Sequence, residues 1–472
     1  MKQEYPDGPR INLPLAIIGQ VLPAFFKFDP LAFGMGMARK YGDIAYYHLG
    51  PLRVYQLNHP DLVRQILVEQ PEKFHKPRLV KRAFRPFAGN GLLTSDGELW
   101  KQQRKLIQPA FHHRQLAAYG DVMVAHTLRM VESFANGEVR EIGAEMTKLT
   151  LDVVVGSLFG SELPPEAREI GGSMSAVMDA ANYRLNRPVH IPSWVPTRRN
   201  LREKRVLAGL DSMLRTLVLA RRASSDCNPG GREDLLSVLL AAVDEDSGVR
   251  MSDQQLRGEM MTLFLAGHET TATALTWTWY LLSRHPEVDA KLREELDRVL
   301  GGRAPAAIEL PKLPYTEMVI REAIRLYPPG PLFAREPVED VIIGGYKVMA
   351  GSIVTVNTYA LQRDPRFYAD AERYDPERFG PGWEERIPRY AYLPFGGGPR
   401  VCIGNGFAMM EARLILATVA QHYKLSLEAS AEIEPIQLVT LKPSGPVRMR
   451  LERREPVSQS TDERPLAKNA EV

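Results

Sequence analysis

The sequence predicts one mainly helical domain with small β-sheets. Helical patterning dominates the chain, and its longest run extends from Ser252 to about Arg284. Strand patterns are short and confined to a few places: 44–49 with 52–57, 341–343 with 346–348, 353–357, and 424–451. No Pro-, Gly- or Ser-rich linker divides the 472 residues into halves. A single domain over 1–453 is therefore expected, followed by a polar tail, 454–472, too poor in apolar residues to order itself.

Composition narrows the function only by exclusion. Hydrophobic residues make up 44% and charged residues 25%, the ordinary balance of a globular protein. Lys plus Arg total 60 against 57 for Asp plus Glu, a net charge of +3 too balanced to indicate nucleic-acid binding. The two cysteines, Cys227 and Cys402, form no disulfide framework, so a reducing, cytoplasmic setting is expected. The first residues lack the regions of a signal peptide. The apolar stretch from Asn12 to Phe26 is broken by Pro14 and Pro23 and falls short of the roughly 20 residues that span a bilayer. It is expected to lie over the protein's own surface, with contact to a membrane surface as the alternative.

Along the chain, Asp29 reads as an N-cap with Pro30 at the first helical position. The strands 44–49 and 52–57 join at Gly50-Pro51, and a further helix covers Pro60 to Glu69. Lys73 to Asn90 is basic and aromatic. It is either a solvated irregular loop or a lid over a pocket for an amphipathic acid. Gly97 to Phe111 begins a helix on which Trp100 and Arg104, four apart, share a face and could clamp an anion. Lys101 and Lys105 fall on other faces. Residues 120–225 are mostly helical and are broken by the proline-rich stretch Pro188 to Pro196. A solvated basic helix start follows, with Arg198, Arg199, Arg202, Lys204 and Arg205. Asn228-Pro229-Gly230-Gly231 marks a flexible connection, in which Cys227 is an incidental thiol.

Ser252 and Gln255 form a capping box for the longest helix, and His285-Pro286 stops it. At its centre stands Ala266-Gly267-His268-Glu269-Thr270-Thr271. Buried polar groups there are costly unless partnered or used. Thr270 can bond back to the carbonyl of Ala266 and widen the helix. Ala266 and Gly267 leave no bulk against anything flat packed on that turn. A structural kink explains the same residues without chemistry. Pro314 to Tyr327 reads as a helix carrying Glu322 and Arg325 on one face, with Asp375-Pro376-Glu377-Arg378-Phe379 downstream.

The most constrained stretch is Phe395-Gly396-Gly397-Gly398-Pro399-Arg400-Val401-Cys402-Ile403-Gly404. Its glycines suit neither helix nor strand, and an apolar helix is expected after Gly406. Cys402 thus stands just before a helix N-terminus, where unpaired N–H groups favour a thiolate. A buried structural cysteine is the plain alternative. A soft axial ligand for haem iron is the chemical one.

This loop resembles the F-x-x-G-x-R-x-C-x-G signature of the cytochrome P-450 family of haem-thiolate monooxygenases. Trp100/Arg104, Ala266 to Thr271 and Glu322/Arg325 with Arg378 resemble that family's other motifs, in the same order. The resemblance implies haem b, with iron held by Cys402, between the long central helix and the cysteine loop. Phe395 and the glycines Gly267 and Gly404 would admit and shield the ring, and Trp100, Arg104, Arg335 and Arg400 would hold the propionates. Thr270 and Glu269 would deliver protons to dioxygen. Glu322, Arg325 and Arg378 would form a buried triad beside the cysteine loop. It further implies a monomer without a fused reductase, an apolar small-molecule substrate such as a fatty acid or terpenoid, and a ferredoxin- or flavodoxin-type donor meeting Lys101 and Lys105. Two rival readings stay open at this stage: a haem-thiolate isomerase or dehydratase, and a haem sensor without turnover.

Overall fold

A computed structural model describes residues 5–9, 29–160, 170–185, 191, 194–223, 234–243, 248, 250–428 and 433–455. The Asn12–Phe26 segment, the flexible connection with Cys227 and the tail from 456 lie outside these residues. The ordered chain passes the expected boundary at 453, because Arg454 bonds the carboxylate of Asp297 at 2.8 Å and the carbonyl of Ala420 at 3.1 Å.

The central helix, Asp253–Arg284, is the axis of the molecule. Ser252 caps it with the expected reciprocal bonds to Gln255, and at 1.5 Å per residue its 32 residues run about 48 Å. The helix is buried along most of its length, with Phe264, Leu275, Trp277 and Trp279 nearly fully covered. Around it lie the helices Ile142–Phe159, Pro314–Leu326, Asn405–His422 and Arg78–Ala88. Trp277 fixes its C-terminal half by stacking on Tyr327 at 4.0 Å and donating its indole N–H to Leu441 O at 2.7 Å.

The larger sheet has five strands in the order Ile44–Leu49, Leu52–Leu57, Ile353–Val356, Phe333–Pro337, Phe74–His75. The first hairpin has the expected turn, with Gly50 at φ 61°. Leu52–Leu57 then pairs in parallel with Ile353–Val356, which carries Phe333–Pro337, and with it Arg335, to the site. A second sheet joins Val139–Glu141, Arg448–Arg453 and Tyr423–Leu427. Pro435–Gln437 and Leu441–Pro443 form a terminal hairpin beside the central helix.

Two local expectations change. Lys73 to Asn90 is not an irregular loop but contains the helix Arg78–Ala88. Phe84, Phe87 and Ala88 recur at helical spacing and are buried, while Arg82 and Arg85 are exposed, so one apolar stripe orders the segment. The last helix starts at Asn405, two residues before the expected start, and takes Gly406 into its first turn against Leu116.

Candidate active site

The cysteine loop is closed by its own backbone, with the Cys402 N–H donating to Phe395 O at 2.9 Å. Gly396 and Gly398 take φ of 69° and 66°, which only glycine adopts without strain. A side chain on Gly398 would meet Leu67 O at 1.9 Å, so that glycine is also demanded by close approach. Phe395 is half-buried, packed on the main core. Cys402 is a free cysteine with an exposed side chain, yet burial is the largest influence on its ionisation. Burial pushes the thiol up, against the Gly404 N–H and the Arg104 guanidinium. Desolvation thus opposes the thiolate that the helix start was expected to favour.

Behind the loop the charged triad forms as anticipated. Glu322 and Arg325 are fully buried and doubly bonded at 2.6 and 2.8 Å, and Arg378 Nε approaches Glu322 Oε1 at 3.4 Å. Arg325 also donates to the carbonyls of Gln362, Ala371 and Arg373. Sequence reasoning missed Gln362. Its amide donates to Ile324 O and Arg325 O, and its carbonyl oxygen accepts the N–H of Leu393, two residues before Phe395. Gln362 thus carries the triad's geometry to the cysteine loop.

Beside the loop, Trp100 and Arg104 share a face as expected, with the guanidinium 5.9 Å from the ring centroid. Arg104 donates to Val401 O at 2.8 Å, bracing the residue before Cys402. Arg400 lies over the same Trp100 at 5.3 Å and 3.0 Å from Asp96. Asp96 also takes Lys81 Nζ at 3.0 Å and the N–H of Lys76. Arg335 belongs to this group: burial pushes it down to about 10, Arg400 adds to the shift and Asp96 opposes it. Lys76, also missed, is pushed down to about 7 by burial and bonds the carbonyls of Leu92 and Ser95. The N–H of Leu92 is in turn held by buried Glu259 of the central helix at 2.8 Å.

On the central helix, burial lapses at one turn. Ala266 is exposed and Thr270, four residues on, is half-buried, while their neighbours Leu265, His268 and Glu269 are buried. Thr270 Oγ1 donates to Ala266 O at 2.6 Å, Thr271 Oγ1 to Gly267 O at 3.1 Å, and Thr150 Oγ1 to His268 O at 2.9 Å. These bonds give the hydroxyls partners within a helix that stays continuous through the turn. Gly267 also serves the packing of a neighbouring helix. A side chain on it would meet Val154 at 3.1 Å, so its smallness lets helix Ile142–Phe159 approach, and the open side belongs to Ala266 and Thr270. Glu269 is not turned to that side either. Its Oε1 accepts from Thr440 at 2.9 Å and Lys442 at 2.7 Å, both in the terminal chain.

The family-wide sequence pattern described as cytochrome P-450 matches residues 7–449. The chain belongs to the cytochrome P-450 family. Similar proteins include the cyclooctatin synthase of Streptomyces melanosporofaciens, 38% identical over 89% of this chain and 90% of that one. The pentalenene oxygenase of Streptomyces avermitilis is 35% identical over 90% and 94%, and the cyclooctat-9-en-7-ol 5-monooxygenase of S. melanosporofaciens is 36% identical over 84% and 85%. The protein is therefore a monooxygenase-type oxidoreductase, and its family implies haem with thiolate-ligated iron.

The residues present fit that group. Lys76, Lys81, Arg335 and Arg400 gather four basic side chains around the carboxylate of Asp96, which pairs with Lys81 Nζ and Arg400 Nη1 at 3.0 Å each. Such a buried surplus calls for anions, which two propionates would supply. A bound metal cation would also reverse the balance that holds Cys402 protonated. Gly404 has no protein atom closer than 3.8 Å to the position of a side chain, so no packing within the chain demands a glycine there. Among the described residues no helix is long and apolar enough to cross a membrane.

Proposed function

We propose that this enzyme inserts one oxygen atom of dioxygen into an apolar, terpenoid-sized substrate, with electrons from a separate protein. The observation that carries the reading is the break in burial at Ala266 and Thr270, in the middle of a helix whose other exposed residues lie at its ends. Bound haem would supply dioxygen activation, with Cys402 as its axial thiolate, as is general for such centres. Arg335, Arg400, Arg104, Trp100 and Lys76 would hold its propionates, and Phe395 would cover the sulfur side.

The chain's own residues then define the reaction. Ala266 leaves space beside the helix. Thr270 gives its hydroxyl proton to Ala266 O, so its oxygen lone pairs face the open side and can hold a proton-bearing water there. Glu269 is the nearest carboxylate in sequence to renew that proton. Names of relatives support the substrate class, since two of them refer to pentalenene and cyclooctat-9-en-7-ol.

Electron delivery is assigned to the face beside the cysteine loop. A surface recess of about 420 Å³ lies there, lined by Trp100, Lys101, Arg104, Lys105, His112 and Pro399. An acidic ferredoxin- or flavodoxin-type donor fits its charge. The test is a terpene and fatty-acid panel screened by spin-state change of the haem, followed by turnover under isotopically labelled dioxygen. One labelled oxygen per product supports the reading. Product formed without dioxygen consumption supports an isomerase or dehydratase instead.

A further inference from the structure

Glu269 and Thr270 are successive residues of one helix, about 100° apart around its axis. Thr270 belongs to the open side of the turn, whereas the Glu269 carboxylate is held by the terminal hairpin. That hold is built rather than incidental. Leu441 is fully buried and pinned on both backbone groups, its N–H on Pro329 O at 3.1 Å and its C=O on the Trp277 indole at 2.7 Å. In extended chain, residues on either side of a buried one point to the opposite face together. Thr440 and Lys442 flank Leu441, and both reach Glu269 Oε1, at 2.9 and 2.7 Å. The carboxylate is only 8% exposed and the ammonium 35%, so water screens this pair less than an ordinary surface bridge.

We propose that Lys442 and Thr440 are positioning residues that hold the Glu269 carboxylate on the hairpin, and that exchange of these partners governs proton supply to Thr270. The proposal rests on the monooxygenase reading above. It makes the terminal hairpin, rather than the central helix alone, a determinant of how reducing equivalents divide between product and peroxide. Neither Lys442 nor Thr440 is needed for the helix to form, since both stand on another element.

The test uses the holoenzyme and the variants Lys442→Met, Thr440→Val and Glu269→Gln. Hydrogen exchange of the segment 433–444 is measured first, in substrate-free protein. Lys442→Met should speed exchange of the Leu441 amide roughly fivefold, the size of effect expected for one lost, partly screened ion pair. Combining it with Glu269→Gln should add nothing further, because both remove the same contact. In turnover, Lys442→Met should change the ratio of product to peroxide, and Thr440→Val should change it in the same direction. Additive exchange effects, or a Lys442→Met enzyme with wild-type partition, would overturn the proposal. A wild type that consumes no dioxygen while the exchange cycle still shows coupling would overturn the functional reading and leave the contact standing.

Discussion

At Cys402 three influences compete: burial raises the thiol, while the Gly404 N–H and Arg104 lower it. A metal cation at the sulfur would favour the thiolate in the same sense as those last two. At Thr270 the hydroxyl is committed as a donor to Ala266 O, so Thr270→Ala removes an acceptor from the open side without disturbing the core. That variant should keep haem and substrate binding but divert reducing equivalents to peroxide, measured as peroxide per nicotinamide oxidised. Wild-type product yield would show that another group carries the proton. Glu259 is a third residue with a measurable signature. Burial raises it from 4.5 to about 7, so the folded state holds a proton that the unfolded chain has released between those values. Stability attributable to this group is present below 4.5 and is lost as pH rises to about 7, by on the order of 3 kcal/mol. Melting temperatures of wild type and Glu259→Gln across that range should diverge accordingly, and parallel curves would contradict the shift.

At the scale of elements, the site is held by a relay from the helix Pro314–Leu326 through Gln362 to Leu393 and the cysteine loop. Glu322→Ala leaves Arg325 buried with only carbonyl partners, a loss of roughly 3–5 kcal/mol. The expected outcome is apoprotein or insoluble protein, checked by haem content per chain. Two glycines of the loop separate protein constraints from cofactor constraints. Gly398→Ala should distort the loop, because its φ is 66° and Leu67 O blocks a side chain. Gly404→Ala should fold normally and bind haem more weakly, as read by thermal melts of apoprotein beside haem titration. Much of this was legible in the sequence. Trp100, Arg104, Glu322, Arg325, Thr270 and Cys402 stand in local patterns that resemble the family's motifs, and helical spacing adds only that Trp100 shares a face with Arg104 and Glu322 with Arg325. Lys76, Gln362, Thr440 and Lys442 were not legible, because each acts through a contact far along the chain that no periodicity encodes. The helix Arg78–Ala88 was obscured by its density of arginines, although Phe84, Phe87 and Ala88 already carried a helical stripe. The contact of Gly267 with Val154 was not legible either, because sequence shows that a residue is small but not which neighbour needs it to be.

At the scale of the whole molecule, the central helix divides the labour. Its open turn lies at Ala266 and Thr270, the terminal hairpin holds Glu269, and in the proposed function the cation group and Cys402 would hold the haem. The basic recess at Lys101 and Lys105 adjoins Pro399, so a donor docked there, as proposed, would meet the cysteine loop. Lys101 is exposed and paired only with Glu98 at 2.7 Å, so reversing its charge costs the fold little. Lys101→Glu with Lys105→Glu should slow reduction by an acidic donor, and the wild-type rate should fall with added salt. A salt-independent rate would place donor docking on another face.

The central claim is that Cys402 is the axial thiolate of a haem centre. It is tested most directly by the spectrum of the reduced, carbon monoxide-bound protein in wild type and in Cys402→His. The wild type should show the strongly red-shifted Soret band of thiolate ligation, and the variant should lose it while still binding haem. A wild-type spectrum without that band, or a variant that retains it, would contradict the account.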